Sequence, residues 1–503
     1  MIMSIGTPQF ISRLVTTAGV TAIMVAGSVG AVAGKELLTL GATLDMYGWN
    51  PGNQPGYQNW AAEAVWGNLV KCNSVGGLEA DMAESWEVSN GNRTFTAKLR
   101  PDLKFSDGSP VALEDVKASF EFLTTSGRGA DYEDIEFEMP DAQTISLSWP
   151  EPQPILNNKI CSANILPMTV LAAGNWDVPI GSGPYVLDDG ATTTGSEYVF
   201  KKNSDHWNAS DYPYDNLVIK VITADGAAVS ALTTGQIDAT LVAAGSLETV
   251  KAAGMEVIQF LGQTPRLIIS DRTGAKIPAL GDVRVRQAMN MVFDKAAMAE
   301  HLYLGNAEPT AQVYRKGTAA HIVDLEDPYP FDVEKARELM AEAGFADGFE
   351  LEFPTMTGQN FETLLPYVRQ QLALINIRVT EVPLSGANAI SDLLSGKFPV
   401  VLWQLGNDGN SAFQIYVEST VDGWWNLQHV GNEFIDGRWV KIATASAEES
   451  AALQQEINRY VVDEAWFAPF VYMGSTYAFN PEKVSIPTQS DAEALTPKLR
   501  DFQ

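Results

Sequence analysis

Cysteine, histidine and basic residues are all scarce in this chain. Its 503 residues include 2 Cys and 4 His, and 33 Lys and Arg stand against 62 Asp and Glu. The formal charge of −29 argues strongly against nucleic acid or an anionic membrane as partner, because either would repel a chain of that sign. It favours solubility and says nothing more specific. The histidines (His206, His301, His321, His429) form no i, i+4 ligand pair. Cys72 and Cys161 fit neither a CxxC redox motif nor a metal site. In an oxidising compartment two cysteines can pair in one way, and a Cys72–Cys161 disulfide is the favoured reading because both lie in the N-terminal half. The alternative is a pair of small buried apolar side chains.

Catalytic signatures are absent as well. No G-x-S-x-G elbow, H-E-x-x-H, Walker A or G-x-G-x-x-G occurs. A secreted α/β hydrolase stays open as a rival, since Ser, Asp and His can converge from distant positions. A metal-chelate receptor trails for want of His and Cys. No cofactor is implied, and no repeat of 20–50 residues is visible.

The chain begins with what reads as an export leader. Arg13 is the only charge in residues 1–33, an apolar small-residue run follows from Leu14 to Val29, and Ala31-Val32-Ala33 forms an A-x-A cleavage site. Gly19, Thr21, Gly27, Ser28 and Gly30 make that run a poor membrane span. No Cys lies near the cleavage point, so a lipid anchor is not indicated, and a periplasmic location is expected. Loss of the leader takes the charge from −29 to −30. The roughly 470 remaining residues exceed the 250–300 or so that one hydrophobic core serves, so at least two lobes are expected.

Residues 83–123 are the most informative stretch. Thr94 to Leu99 alternates apolar and polar side chains with period two, which predicts a half-buried strand. Asp107-Gly108 predicts a tight turn, and Ser109-Pro110 a helix start with Glu114 and Asp115 in its first turns. Val116, Phe120 and Leu123 then share one buried face. The wording Ala83-Glu84-Ser85-Trp86-Glu87-Val88-Ser89, Lys104-Phe105-Ser106-Asp107-Gly108-Ser109-Pro110 and Glu114-Asp115-Val116 resembles the signature of the family 5 extracellular solute-binding proteins, the peptide/nickel-type receptors of ABC importers.

Further blocks are similar to that family in order and spacing. They are Gly181-Ser182-Gly183-Pro184-Tyr185, Asn203 to Trp207, Gly235-Gln236-Ile237-Asp238, and Asp282-Val283-Arg284-Val285-Arg286-Gln287-Ala288. The last predicts a long helix that Asp294-Lys295 continues. Another helix runs from Asp332 to a stop at Gly344. Strand, helix and strand over 351–353, 361–374 and 377–382 read as a βαβ unit. A helix over 447–463 and a strand over 467–473 follow. Strands are also read at 35–43, 133–149 and 218–222, and the acidic run at 131–138 reads as a solvated strand face.

The resemblance implies an α/β, two-lobed periplasmic binding protein type 2 fold with an extra subdomain and a ligand cleft between lobes. Residues 34–265 would form lobe 1, with an inserted subdomain at about 76–180. Residues 266–475 would form lobe 2, and 476–503 a tail returning to lobe 1. A monomer that hands an organic solute to inner-membrane ABC permease subunits is expected.

Tryptophan supplies the candidate site. An indole offers a rigid apolar face and one donor. Trp403, Trp424 and Trp425 lie in a Gly/Asn-rich region, and Trp49 in an aromatic loop with Tyr47 and Asn50. Core packing is the competing reading for each, and the expected one for Trp86, Trp149, Trp176, Trp207 and Trp466. Members of the family commonly place an Asp three residues after the strand-end Trp, where it binds a peptide's ammonium group. Here that position is Gly406, and the nearest acid is Asp408. Either Asp408 takes the role or the anchor is gone, and a buried cation without its carboxylate costs several kcal/mol. Gln404, Asn407 and Asn410 add neutral amides, which suit a polyhydroxylated ligand. An oligosaccharide or glycoconjugate therefore competes with an oligopeptide.

Overall fold

A computed structural model describes residues 35–45, 48–52, 60–73, 76–125, 132–356, 361–384, 389–406, 409–487 and 497–503. The expected leader and the site candidates Tyr47, Asn407 and Asp408 lie outside them. No helix among the described residues is long and apolar enough to cross a membrane.

The backbone of the fold is a mixed sheet. Along it run Tyr185–Leu187, Glu197–Lys202, Tyr214–Val221, Lys35–Ala42, Ala239–Val242, Val471–Phe479, Glu256–Ile269 and Val400–Gly406. Lys35–Ala42 is parallel to both of its neighbours, and the remaining pairs along this path are antiparallel. The long strand Glu256–Ile269 changes partner along its length. Its first part pairs with Val471–Phe479, its second with Val400–Gly406, and the register shifts between Leu261 and Gln263.

That change of partner separates two apolar cores. Ile258, Tyr477 and Phe479 pack with Leu38, Leu40, Trp60, Trp66, Phe200 and Leu217. Leu267, Ile269 and Val471 pack instead with Val285, Met289, Phe353, Val400 and Ile457. The C-terminal segment returns to the first core, where Leu499 and Phe502 are buried. Trp60 Nε1 donates to the Pro497 carbonyl at 2.7 Å, which satisfies an indole donor that burial would otherwise orphan.

A smaller core belongs to residues 69–165. Its four-stranded antiparallel sheet runs Ala83–Ser89, Thr94–Leu99, Thr144–Ser148, Glu136–Glu138. The period-two reading holds there: Phe95, Ala97 and Leu99 are buried and Lys98 is exposed. Glu136 and Glu138 face solvent. Val116 and Phe120 cover this sheet fully buried, each worth roughly 1.5–3 kcal/mol of transfer free energy.

Two helix boundaries differ from expectation. The helix begins at Leu113, not at Ser109-Pro110. Pro110 is held in a bridge to Lys104, and the Asp115 carboxylate reaches back to the Ala112 amide at 2.9 Å, so the first turn is closed from within. The helix capped by Asp282 stops at Met291 instead of continuing through Asp294-Lys295. Asp294 accepts the Ala297 amide at 2.9 Å and starts a separate short helix, as a side chain that competes for backbone donors does. The C-terminal strand region is also interrupted, as Phe467–Pro469 and Val471–Phe479. The βαβ reading holds, with Phe349–Thr355 parallel to Ile377–Pro383.

Candidate functional site

Trp403 sits at the middle of the strand Val400–Gly406 and not at its end, directly opposite Arg266 in the antiparallel ladder. Directly opposed residues share a face, so the two side chains lie on the same side of the sheet. Trp403 is 8% exposed, and its ring lies 5.5 Å from that of Trp425 at an interplanar angle of 39°. The backbone amide of Trp425 donates to the Val417 carbonyl at 2.9 Å, which ties this pair to the helix Ser411–Ser419. Gln404 is half-buried and donates through Nε2 to Gln263 Oε1 on the neighbouring strand.

Trp424 takes a different direction. It is half-buried, edge-on to Phe413 and Tyr416, each at 5.9 Å, and Tyr416 in turn stacks on Trp439. Trp49 is 7% exposed, and its ring meets Trp66, Tyr198 and Phe200 edge-on at 6.0–6.4 Å. Those neighbours belong to the N-terminal core, so Trp49 is a packed side chain of that core. Asn50 accepts the Gly52 amide at 2.9 Å, which turns the chain at Pro51. Of the aromatic candidates, then, Trp403 and Trp425 are brought into tilted contact, with Trp403 itself a buried member of the C-terminal core and Trp425 packed against it. Of the five tryptophans expected in cores, Trp149 and Trp466 are buried and Trp86, Trp176 and Trp207 half-buried.

Beside Trp403 lies a buried charge pair. Arg266 Nη2 meets Glu418 Oε1 at 2.8 Å with side chains 0% and 2% exposed. Burial holds the guanidinium below its ordinary range and pushes the carboxyl up, while each charge opposes the other's shift. Arg266, a charge at the head of the apolar run Leu267-Ile268-Ile269, is the sequence signal for this pair.

Asn410 caps the helix Ser411–Ser419 by accepting the Ala412 amide at 3.1 Å. Its Nδ2 also donates to Asn158 Oδ1 at 2.6 Å, on the helix Leu156–Cys161. Ala412 and Ile415 belong to the C-terminal core, Leu156 and Ile160 to the core of residues 69–165. The candidate region therefore touches the N-terminal half through Asn410. Nothing in the sequence around Asn158 announces this contact. Cys72 and Cys161 are disulfide-bonded, with Cα atoms 5.4 Å apart. Among the described residues no group of three or more His, Cys, Asp or Glu could hold a metal ion.

Comparison with known proteins bears on this arrangement. The chain is 26% identical over 285 residues to a Brucella ovis protein named as a candidate peptide-binding protein of an ABC transporter, across 53% of this chain and 52% of that one. It is 26% identical over 316 residues to the glutathione-binding protein GsiB of Shigella flexneri, across 60% of each. The match thus spans about half to three-fifths of the curated relatives' length. The fold is that of AgaA from A. tumefaciens R10, a periplasmic binding protein solved with agropinic acid: TM-score 0.80, 22% identity, 93% of this chain and 98% of that one. Two cores joined by a partner-switching strand are thus the two-lobed periplasmic binding protein fold. The profile described as Bacterial extracellular solute-binding proteins, family 5 Middle, matches residues 77–426, from the smaller core through Trp403 to Trp425, and this chain belongs to that family.

Proposed function

We propose that this protein is the periplasmic receptor of an ABC importer, capturing an organic solute between its lobes and offering it to the permease. Family membership supports a binding component of transport in place of an enzyme. The ligand we favour carries an amino-acid portion, as a short peptide or a sugar–amino-acid conjugate does. Relatives named for peptide and glutathione binding, and a neighbour solved with agropinic acid, support that class. The observation that carries the site is the Trp403–Trp425 pair, two indoles 5.5 Å apart, the first of them on the strand Val400–Gly406 that precedes Asp408 in sequence. In this reading Trp403, Trp425 and Trp424 supply apolar faces, Gln404, Asn407 and Asn50 hydrogen bonds, and Asp408 the anchor for a ligand ammonium group. In the same reading Tyr47 and Trp49 contribute from the opposite lobe, Trp49 as a packed side chain of the N-terminal core.

A thermal-shift screen against short peptides, glutathione, opine-like conjugates, neutral oligosaccharides and metal chelates tests the proposal. A ligand at 100 times its Kd adds roughly 2.7 kcal/mol. Stabilisation by an amino-acid-containing class is expected. A response to neutral oligosaccharides alone would overturn the ligand class, and a response to none would count against the reading as a whole.

A further inference from the structure

Asn158 and Asn410 are far apart in sequence, and the helices Leu156–Cys161 and Ser411–Ser419 that hold them pack into different apolar cores, yet they share a hydrogen bond of 2.6 Å. We propose that this pair is a latch that holds the two lobes together beside the ligand cleft, and that the Cys72–Cys161 disulfide fixes the surface on which it closes. The inference rests on the cleft reading given above.

Three features converge on the contact. Asn410 uses both ends of its amide: Oδ1 caps its own helix at the Ala412 amide, and Nδ2 reaches Asn158. Its orientation is therefore set by the helix Ser411–Ser419, whose Phe413 and Tyr416 hold Trp424. Asn158, in turn, is 7% exposed.

The second feature is steric. A Cβ on Gly76 would stand 2.6 Å from Asn410 Cβ and 2.9 Å from its Cα. Gly76 also has φ +77°, so its bare backbone admits Asn410 where any side chain would push it away. The Gly76 carbonyl accepts Asn157 Nδ2 at 3.0 Å, which joins the glycine turn to the helix that presents Asn158.

The third is covalent. The disulfide links the strand Val70–Cys72, just before that turn, to the end of the helix Leu156–Cys161. Gly76 and Asn158 thus ride on one unit cross-linked between Cys72 and Cys161, whose sequence separation is 89. A neutral hydrogen bond of this kind changes the ratio of closed to open states by about fivefold.

Hydrogen exchange of the ligand-free full chain, read by mass spectrometry, tests the latch. In Asn158→Ala, peptides spanning 76–80 and 409–416 should both exchange about fivefold faster. Asn158→Asp keeps an acceptor for Asn410 and should exchange at the parental rate in both. The Cys72→Ser/Cys161→Ser variant should accelerate both peptides, while 349–355 serves as an unaffected control. If Asn158→Ala accelerates 76–80 but leaves 409–416 at the parental rate, Asn158 acts only within its own subdomain and the latch is overturned. Parental rates in both peptides overturn it equally. No ligand enters this measurement, so its failure leaves the ligand reading standing, and a failed ligand screen leaves the exchange rates unmoved.

Discussion

Arg266 and Glu418 form an ion pair of 2.8 Å in which neither side chain has more than 2% of its surface in contact with solvent. One sits on the strand opposite Trp403 and the other on the helix Asn410 caps, so the pair ties the candidate site's strand to its helix. Removing one partner leaves an uncompensated buried charge, whereas removing both does not.

Glu418→Ala should therefore destabilise the protein by about 3–5 kcal/mol. Replacing both members together, as Arg266→Met/Glu418→Leu, should recover most of that loss. Thermal melts of the two variants check this. A single variant as stable as the parent would mean that the charges find other partners.

Trp403→Ala should weaken binding of the screened ligand at least tenfold. Because Trp403 is 8% exposed, the same change also costs packing, about 3 kcal/mol for a truncated large aromatic. Calorimetric titration well below the variant's melting temperature separates the two effects. Trp403→Phe should restore stability more than affinity. An unchanged Kd in Trp403→Ala would remove this residue from the site.

Much of the architecture was legible because it is periodic. Thr94–Leu99 shows its alternation within six residues, and Asp282 and Asp332 each cap the helix they announce. The glycines of Gly181-Ser182-Gly183 have a reason no periodicity reveals. A Cβ at Gly183 would lie 2.4 Å from the Ala64 carbonyl oxygen, so the motif marks a close approach of two backbones. Helix limits failed where a carboxylate chose a local amide, as at Asp294 and Asp115. Site geometry was least legible. Trp49, Trp403 and Trp424 look alike in sequence, and whether each packs on Tyr198 and Phe200, meets another indole at Trp425, or lies edge-on to Phe413 and Tyr416 is decided by tertiary contacts that no periodicity encodes. The Asn158–Asn410 bond is illegible for the same reason.

His206 gives a pH prediction. It is 7% exposed, and burial lowers its pKa to about 4 from an ordinary 6.5, with Asp81 opposing the shift and Lys71 adding to it. The Asn208 amide donates to Nδ1 at 3.2 Å, which suits the neutral ring. Between pH 6.5 and 4 the unfolded chain takes up a proton that the folded one does not, so this group lowers stability as pH falls through that window. The full effect is about 3 kcal/mol. Comparing melting temperatures of parent and His206→Gln at pH 7 and 4.5 isolates it: the variant should lose less on acidification. Parallel losses in both would show that His206 carries no part of the acid sensitivity.

The disulfide makes the last prediction. Thiol titration of the denatured, unreduced protein should find no free thiol, and after reduction two. The bridge closes a loop across a sequence separation of 89 residues, and the entropy it removes from the unfolded chain corresponds to about 4–5 kcal/mol as an upper estimate. The stabilisation should be local in its consequences, because the strand Val70–Cys72 and the helix Leu156–Cys161 flank the smaller core rather than the C-terminal one. Reduction should then lower the first transition in a scanning calorimeter and leave a later one in place. A single transition that moves as a whole would mean that the smaller core and the C-terminal core unfold together, with the contact at Asn410 coupling them.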